Sequence, residues 1–234
     1  MFFGRTKSGE SINIDNSSPE SQYFCPICGG ELIRKMGHIN VHHFAHKSRV
    51  ECDDWYDTKG PWHRSMQAKF KEEFQEVPVS CLGKTHIADV RFPRKNAIPF
   101  VIEFQESPIS SDEFQERTNF YKRAGNDILW VFNFSKKENI YQNSIGKYRW
   151  INHGRFLNDF DPKKNWLVFY IRPVTDWYTD QYDKRKPLSF ARPSFLRVDY
   201  QYQNYKYFGG KVMDEDGFKA LISIICRSGP ILGS

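Results

Sequence analysis

Two groups of residues in this chain have the types and spacing that chemistry requires. The first is a cysteine/histidine set: Cys25 and Cys28 flank two residues, Gly29 and Gly30 follow, and His42, His43, His46 and Cys52 come next. Cys-x2-Cys before a glycine pair is a knuckle suited to tetrahedral zinc, which favours thiolate and imidazole ligands. Seventeen residues separate Cys28 from His46, and five separate His46 from Cys52, so Cys25, Cys28, His46 and Cys52 can form one site. A Cys25, Cys28, His43, His46 set is the rival. In a regular strand His43 and His46 point to opposite faces, which favours only one of them and hence the set with Cys52. Four protein ligands leave no open position, so this Zn2+ is expected to be structural. Free thiols beside a hydrogen-bonded histidine cluster are the bland alternative.

The second group is made of oxygen ligands. Asp89 lies in His86-Ile87-Ala88-Asp89-Val90, and Glu103 lies fourteen positions later in Val101-Ile102-Glu103-Phe104-Gln105. Gln105 is two residues past Glu103, so in a strand the two side chains share a face. Adjacent antiparallel strands can bring Asp89 and Glu103 side by side, and two such carboxylates repel unless a cation sits between them. Oxygen ligands with room for water suit Mg2+ or Mn2+. Such an ion polarises a phosphoryl oxygen and lowers the pKa of an attacking water. The alternative is a pair of solubility residues on an edge strand, which their apolar neighbours argue against.

The elements that must position these groups follow from periodicity. Residues 1–21 are polar and rich in Ser and Asn and read as a loose lead-in. Residues 22–54 form the zinc-binding module, with strand-like runs Glu31–Lys35 and Ile39–Phe44 on either side of Gly37. Pro61 opens a helical pattern over Trp62–Phe74, where Trp62, Met66, Phe70 and Phe74 fall four apart. Three strands are expected at Val77–Leu82, His86–Phe92 and Phe100–Gln105. A helix follows from Ser110-Ser111-Asp112-Glu113 to about Ala124, and a buried strand spans Asp127–Phe134. This gives an α-β-β-β-α-β core over residues 55–134. In the extension, 135–234, Trp166–Ile171 reads as a strand and Asp214–Cys226 as a terminal helix. The stretch from Thr175 to Tyr207 reads as strands with long loops.

Composition bounds the function. Hydrophobic residues make up 39% and charged residues 26%, ordinary for a globular protein, and no apolar run reaches the length of a membrane helix. Five cysteines, an odd number with two in a knuckle, point to metal binding in a reducing compartment rather than to disulfides. The first ten residues lack an apolar signal-peptide core, so a cytoplasmic location is expected. Cys81 and Cys226 read as plain buried residues. The charge is uneven: residues 1–134 carry 17 Lys+Arg against 18 Asp+Glu, and residues 135–234 carry 17 against 10. The latter also hold 19 of the 38 aromatics, and basic groups interleaved with aromatics suit phosphate contact and base stacking. Lys184, Arg185 and Lys186 are the candidate phosphate contacts there; a solvated face over an aromatic core is the alternative.

The chain also resembles a family. Cys25-Pro26-Ile27-Cys28 with Gly29-Gly30-Glu31-Leu32-Ile33, His43-Phe44-Ala45-His46-Lys47, Pro61-Trp62-His63, His86-Ile87-Ala88-Asp89-Val90, Ile102-Glu103-Phe104-Gln105-Glu106-Ser107 and Glu116-Arg117 to Tyr121 are similar to the competence protein CoiA-like family. The Leu129–Asn133 strand closes the match. The resemblance implies an α/β PD-(D/E)XK restriction-endonuclease-like core with a small N-terminal zinc-binding module. It implies a role in DNA processing or recombination. A lysine is usual at the third polar position of such sites, where it orients the water and meets developing charge. Gln105 matches the family and departs from the wider superfamily. By the same resemblance Glu76 is an extra metal ligand and His63 a phosphate contact or proton carrier. Arg117 and Tyr121, four apart on one helix face, would brace the carboxylates or touch a phosphate. The family's His43-to-His46 run is what keeps His43 in play as a zinc ligand. Residues 135–234 match only loosely, as a mixed, aromatic-rich extension.

The expected function is therefore a divalent-metal-dependent nuclease on DNA, single- or double-stranded. The alternatives are a DNA-binding recombination accessory that keeps the fold without cleavage, and a zinc-dependent interaction module.

Overall fold

The computed structural model describes residues 1–48, 52, 53, 55, 59–134, 140–142, 149–152, 166–171, 194–201 and 207–226. Lys184, Arg185, Lys186, the side chain of Cys226 and most of 175–207 lie outside the described residues. The chain divides into two compact units, one formed mainly by Met1–Phe92 and the other by Pro93–Pro230.

In the first unit, five short strands form one antiparallel sheet. They are β1 (Phe3–Arg5), β2 (Ser11–Asn13), β3 (Tyr23–Phe24), β4 (Glu31–Lys35) and β5 (His43–His46), in the order β2-β1-β3-β4-β5. Met1, Ile14, Tyr23, Cys25, Leu32 and Phe44 make its core, with the Tyr23 and Phe44 rings 4.9 Å apart. The expectation of a loose lead-in over residues 1–21 is thus corrected. Met1, Phe2, Phe3 and Ile14 are buried, while the polar residues that dominate the composition sit in the turns. Gly4 marks a close approach, since a Cβ there would lie 3.3 Å from the side chains of Leu32 and Phe44. The strand expected over Ile39–Phe44 begins only at His43, and Ile39 is exposed.

Helix α1 (Pro61–Gln67) starts with proline in its first turn, where a missing N–H costs nothing. It is shorter than its apolar stripe predicts. After Gln67 the chain tightens, with the Phe70 N–H donating to the Gln67 carbonyl at 3.0 Å, and a 3-10 turn covers Glu72–Phe74. Trp62, Met66 and Phe70 remain buried, because the core selects the stripe and not continuous helix. Strands β6 (Gln75–Cys81) and β7 (Lys84–Arg94) then pair antiparallel through Leu82 and Gly83, both with positive φ, the signature of a two-residue hairpin turn. Cys81, expected to be buried, is half-buried at the end of β6.

The second unit holds β8 (Ala97–Gln105), α2 (Ser111–Arg123), β9 (Asp127–Phe134), β10 (Ile140–Gln142) and β11 (Arg149–Asn152). It continues with β12 (Trp166–Ile171), β13 (Ser194–Gln201), β14 (Tyr207–Met213) and α3 (Glu215–Cys226). The strands run in the order β10-β11-β14-β13-β12-β9-β8, with β9 parallel to both β8 and β12. Residues Phe100–Ile102 and Leu129–Val131 are fully buried, as parallel central strands require. Ser110 caps α2 by accepting from the Glu113 N–H at 3.1 Å. Asp112 and Glu113 in the first turn and Lys122 and Arg123 in the last complement the helix dipole. Gly125, at φ +74°, ends the helix. Phe195 and Phe218 stack at 4.2 Å and anchor α3 on β13. From α1 to β9 the elements follow the expected α-β-β-β-α-β order in a mixed α/β fold. No helix among the described residues is long and apolar enough to cross a membrane.

Candidate functional site

The N-terminal sheet draws one cluster of metal-ligating atoms together. Cys25 and Cys28 leave β3, His46 ends β5 and Cys52 follows, and their ligand atoms all lie within 4.8 Å of one another. Cys25 Sγ is 3.6 Å from Cys52 Sγ, and His46 Nε2 is 3.4 Å from both Cys28 Sγ and Cys52 Sγ. Four ligands around zinc at ordinary bond lengths would stand about 3.8 Å apart for two sulfurs and about 3.6 Å for sulfur and nitrogen. The donor set fits such an ion. The backbone N–H groups of Ile27 and Gly30 donate to Cys25 and Cys28 Sγ, both at 3.4 Å, which stabilises thiolates. Burial and the neighbouring Cys25 sulfur push the Cys52 thiol well up, a cost that a cation among the sulfurs removes. His43, the rival ligand, is not in the cluster, its Nδ1 lying 2.8 Å from the Val41 carbonyl. Strand parity explains this, because residues three apart in β5 face opposite ways.

A second cluster in the first unit is made of carboxylates. Asp89 on β7 and Glu76 on β6 are each 4% exposed, and both converge on Lys59. Lys59 Nζ donates to Glu76 Oε1 at 2.8 Å and to Asp89 Oδ1 at 2.8 Å. His63 Nε2, on the first turn of α1, is 2.9 Å from the same Asp89 oxygen. The other Glu76 oxygen accepts from the Phe2 and Phe3 N–H groups at 2.6 and 3.0 Å, which ties it to β1. Gln67 donates to the Asp89 carbonyl at 2.8 Å. Burial alone would raise both carboxyls. Lys59 beside Glu76, and His63 and Lys59 beside Asp89, instead hold them below the usual carboxylate range. Glu76 sits at φ +48°, an unfavourable backbone conformation for a residue with a Cβ, held at a site where its carboxylate has three donors.

The second unit carries the other expected residues. Glu103 and Gln105 lie on β8, 6% and 7% exposed. Tyr121, fully buried on α2, donates its hydroxyl to Glu103 Oε1 at 2.8 Å, and Gln105 Nε2 donates to the Ser107 carbonyl at 2.8 Å. The Tyr121 ring is thus enclosed, with its hydroxyl directed at Glu103. Arg117 is also buried and pairs with Glu113 one turn away on α2. Tyr121→Phe removes a donor from a buried carboxylate, and a loss of about 1–3 kcal/mol in urea denaturation is expected. A change within a few tenths of a kcal/mol would show that Glu103 does not depend on this bond.

Sequence reasoning missed Lys59. It stands in a loop thirty residues from Asp89, where no periodicity or motif marks it. The one local signal was a lone basic residue before Gly60 and Pro61, which chance supplies often. The clamp formed by Asp53 was missed as well. Asp53 Oδ1 is 2.9 Å from His86 Nδ1 and Asp53 Oδ2 accepts from the Ile87 N–H at 3.1 Å, with Trp55 stacked on the His86 ring at 3.4 Å.

Two stretches of the chain are similar to domains of a known family. Residues 8–54 match the N-terminal domain of competence protein CoiA, and residues 85–182 match its nuclease-like domain. The competence protein CoiA of Bacillus subtilis (strain 168) is 26% identical over 140 residues, covering 56% of this chain and 38% of that relative. No solved structure matches the chain.

Proposed function

The chain belongs to the competence protein CoiA-like family, with its nuclease-like domain, and from that premise we propose that it is a divalent-metal-dependent nuclease acting on DNA. The observation that carries this reading is the convergence of two buried carboxylates, Glu76 and Asp89, on the position of a single cation. Buried carboxylates are costly unless a positive charge joins them, and a PD-(D/E)XK site is such an arrangement.

In this reading Asp89 and Glu103 are joint ligands of Mg2+ or Mn2+, with Glu76 as a further ligand. When bound, the ion polarises a phosphoryl oxygen and makes its water more acidic. Gln105 orients the attacking water by hydrogen bonding, His63 contacts the phosphate or carries a proton, and Tyr121 keeps Glu103 aligned. The Cys25, Cys28, His46 and Cys52 set binds structural Zn2+, and the protein works on DNA in the cytoplasm. Incubating the protein with labelled single- and double-stranded DNA in magnesium, manganese or chelator tests the activity. Cleavage that requires the metal is expected, and indifference to chelator would overturn the reading.

One observation favours a second reading, a DNA-binding accessory without cleavage. Gln105 carries no charge, and its amide is engaged with Ser107. In either case the basic extension should bind DNA through phosphates. Reversing the charges at Lys184, Arg185 and Lys186 is expected to weaken binding and to flatten its dependence on salt, by about one unit of slope for each phosphate no longer neutralised. Unchanged affinity and slope in a filter-binding titration would make those residues a solvated face.

A further inference from the structure

A lysine is missing from the third position of the proposed site, yet the first unit places one against two of its carboxylates. Lys59 Nζ lies 2.8 Å from both Glu76 Oε1 and Asp89 Oδ1, and its side chain is 14% exposed. Its ammonium also stands 5.7 Å from the centre of the Phe2 ring, so the group is enclosed by two anions and an aromatic face. The backbone fixes the partners. Glu76 is tied to Phe2 and Phe3, and Asp89 has its carbonyl bonded to Gln67. The two carboxylates thus already meet one cation, with His63 Nε2 beside the same Asp89 oxygen, before any metal arrives.

We infer that Lys59 is the resident cation of the Glu76–Asp89 pair, the group that a divalent ion must displace from these carboxylates, so that Lys59 sets the metal affinity of the site. This rests on the reading of Asp89 and Glu76 as metal ligands. An ammonium and a divalent ion cannot share the same two oxygens at close range without strong repulsion, so binding of the ion costs the two lysine hydrogen bonds. A lysine that merely holds the fold together makes the opposite forecast: its removal loosens the carboxylates and weakens any ion they hold.

The test is Lys59→Met, which keeps an unbranched stem against Phe2 and removes the charge, measured in the full chain with its zinc retained. Manganese binding by titration calorimetry is expected to be at least tenfold tighter than in wild type. Lys59→Arg should restore wild-type affinity, and Lys59→Met combined with Asp89→Asn should abolish the gain. Manganese affinity that is equal or weaker in Lys59→Met overturns the inference. If removal of the charge destabilises the fold in buffer without manganese, manganese should restore the melting temperature of Lys59→Met over a range that barely moves the wild type. Failure of manganese to restore it also overturns the inference. DNA cleavage is scored separately. A wild type that never cleaves, together with the predicted gain in manganese affinity, defeats the nuclease reading and leaves the role of Lys59 standing.

Discussion

Asp89→Asn or Glu103→Gln is expected to lower metal-dependent DNA cleavage by at least a hundred- to a thousandfold while the fold is kept. A metal ion supplies several kcal/mol of stabilisation to developing charge, and about 1.4 kcal/mol is tenfold in rate, so loss of one anionic ligand forfeits roughly that much. Both replacements keep shape and polarity. In Asp89→Asn, Lys59 retains Glu76 at 2.8 Å, and in Glu103→Gln the amide oxygen can still accept from the Tyr121 hydroxyl. Circular dichroism and melting should therefore stay close to wild type while turnover collapses. DNA binding should hold or tighten, since a negative charge has left the neighbourhood of the phosphates. Gln105→Lys, which installs the commoner residue, should keep or raise activity. Variants that unfold would assign the carboxylates to stability instead of chemistry.

Removing the zinc is expected to be as damaging, by another route. Ligand binding in small zinc modules is folding energy, on the order of 10 kcal/mol, and a single ligand loss forfeits a large share of it. Cys25→Ser should therefore unfold the N-terminal sheet, whereas Cys81→Ser should leave it in place. The damage should also reach the carboxylates. Cys52 is followed by Asp53, which clamps His86 and the Ile87 N–H on β7, two to three residues before Asp89. β1 carries the Phe3 N–H that, with the Phe2 N–H just before it, holds Glu76. Elemental analysis of protein purified without added metal should give one zinc per chain. Zinc near zero with freely titratable thiols would contradict the assignment.

How much of the fold and site is legible in the sequence depends on how local the cause is. The Cys25/Cys28 knuckle is a local signal, and strand parity limits the histidine ligand to one of His43 and His46. Asp89 and Glu103 can be read because buried strands rarely hold carboxylates among Ile87, Ala88, Val101 and Phe104. The helix over Ser111–Arg123 carries its own cap and its own stop, Ser110 and Gly125. What escapes the sequence is long-range. Lys59 has meaning only through Asp89, thirty residues on. The first strands are hidden by their polar turns, although Met1-Phe2-Phe3 and the alternation of Ile12 and Ile14 lie in plain view. The stripe from Trp62 to Phe74 marks an inward-facing row but not a continuous helix, because a 3-10 turn can present Phe70 and Phe74 almost as well.

The most direct test of the central claim is turnover of labelled DNA by wild type and by Asp89→Asn, purified side by side and assayed with manganese. The nuclease reading predicts cleavage by the wild type alone, lost on chelation. Equal rates from the two proteins, or no cleavage from either, would contradict it.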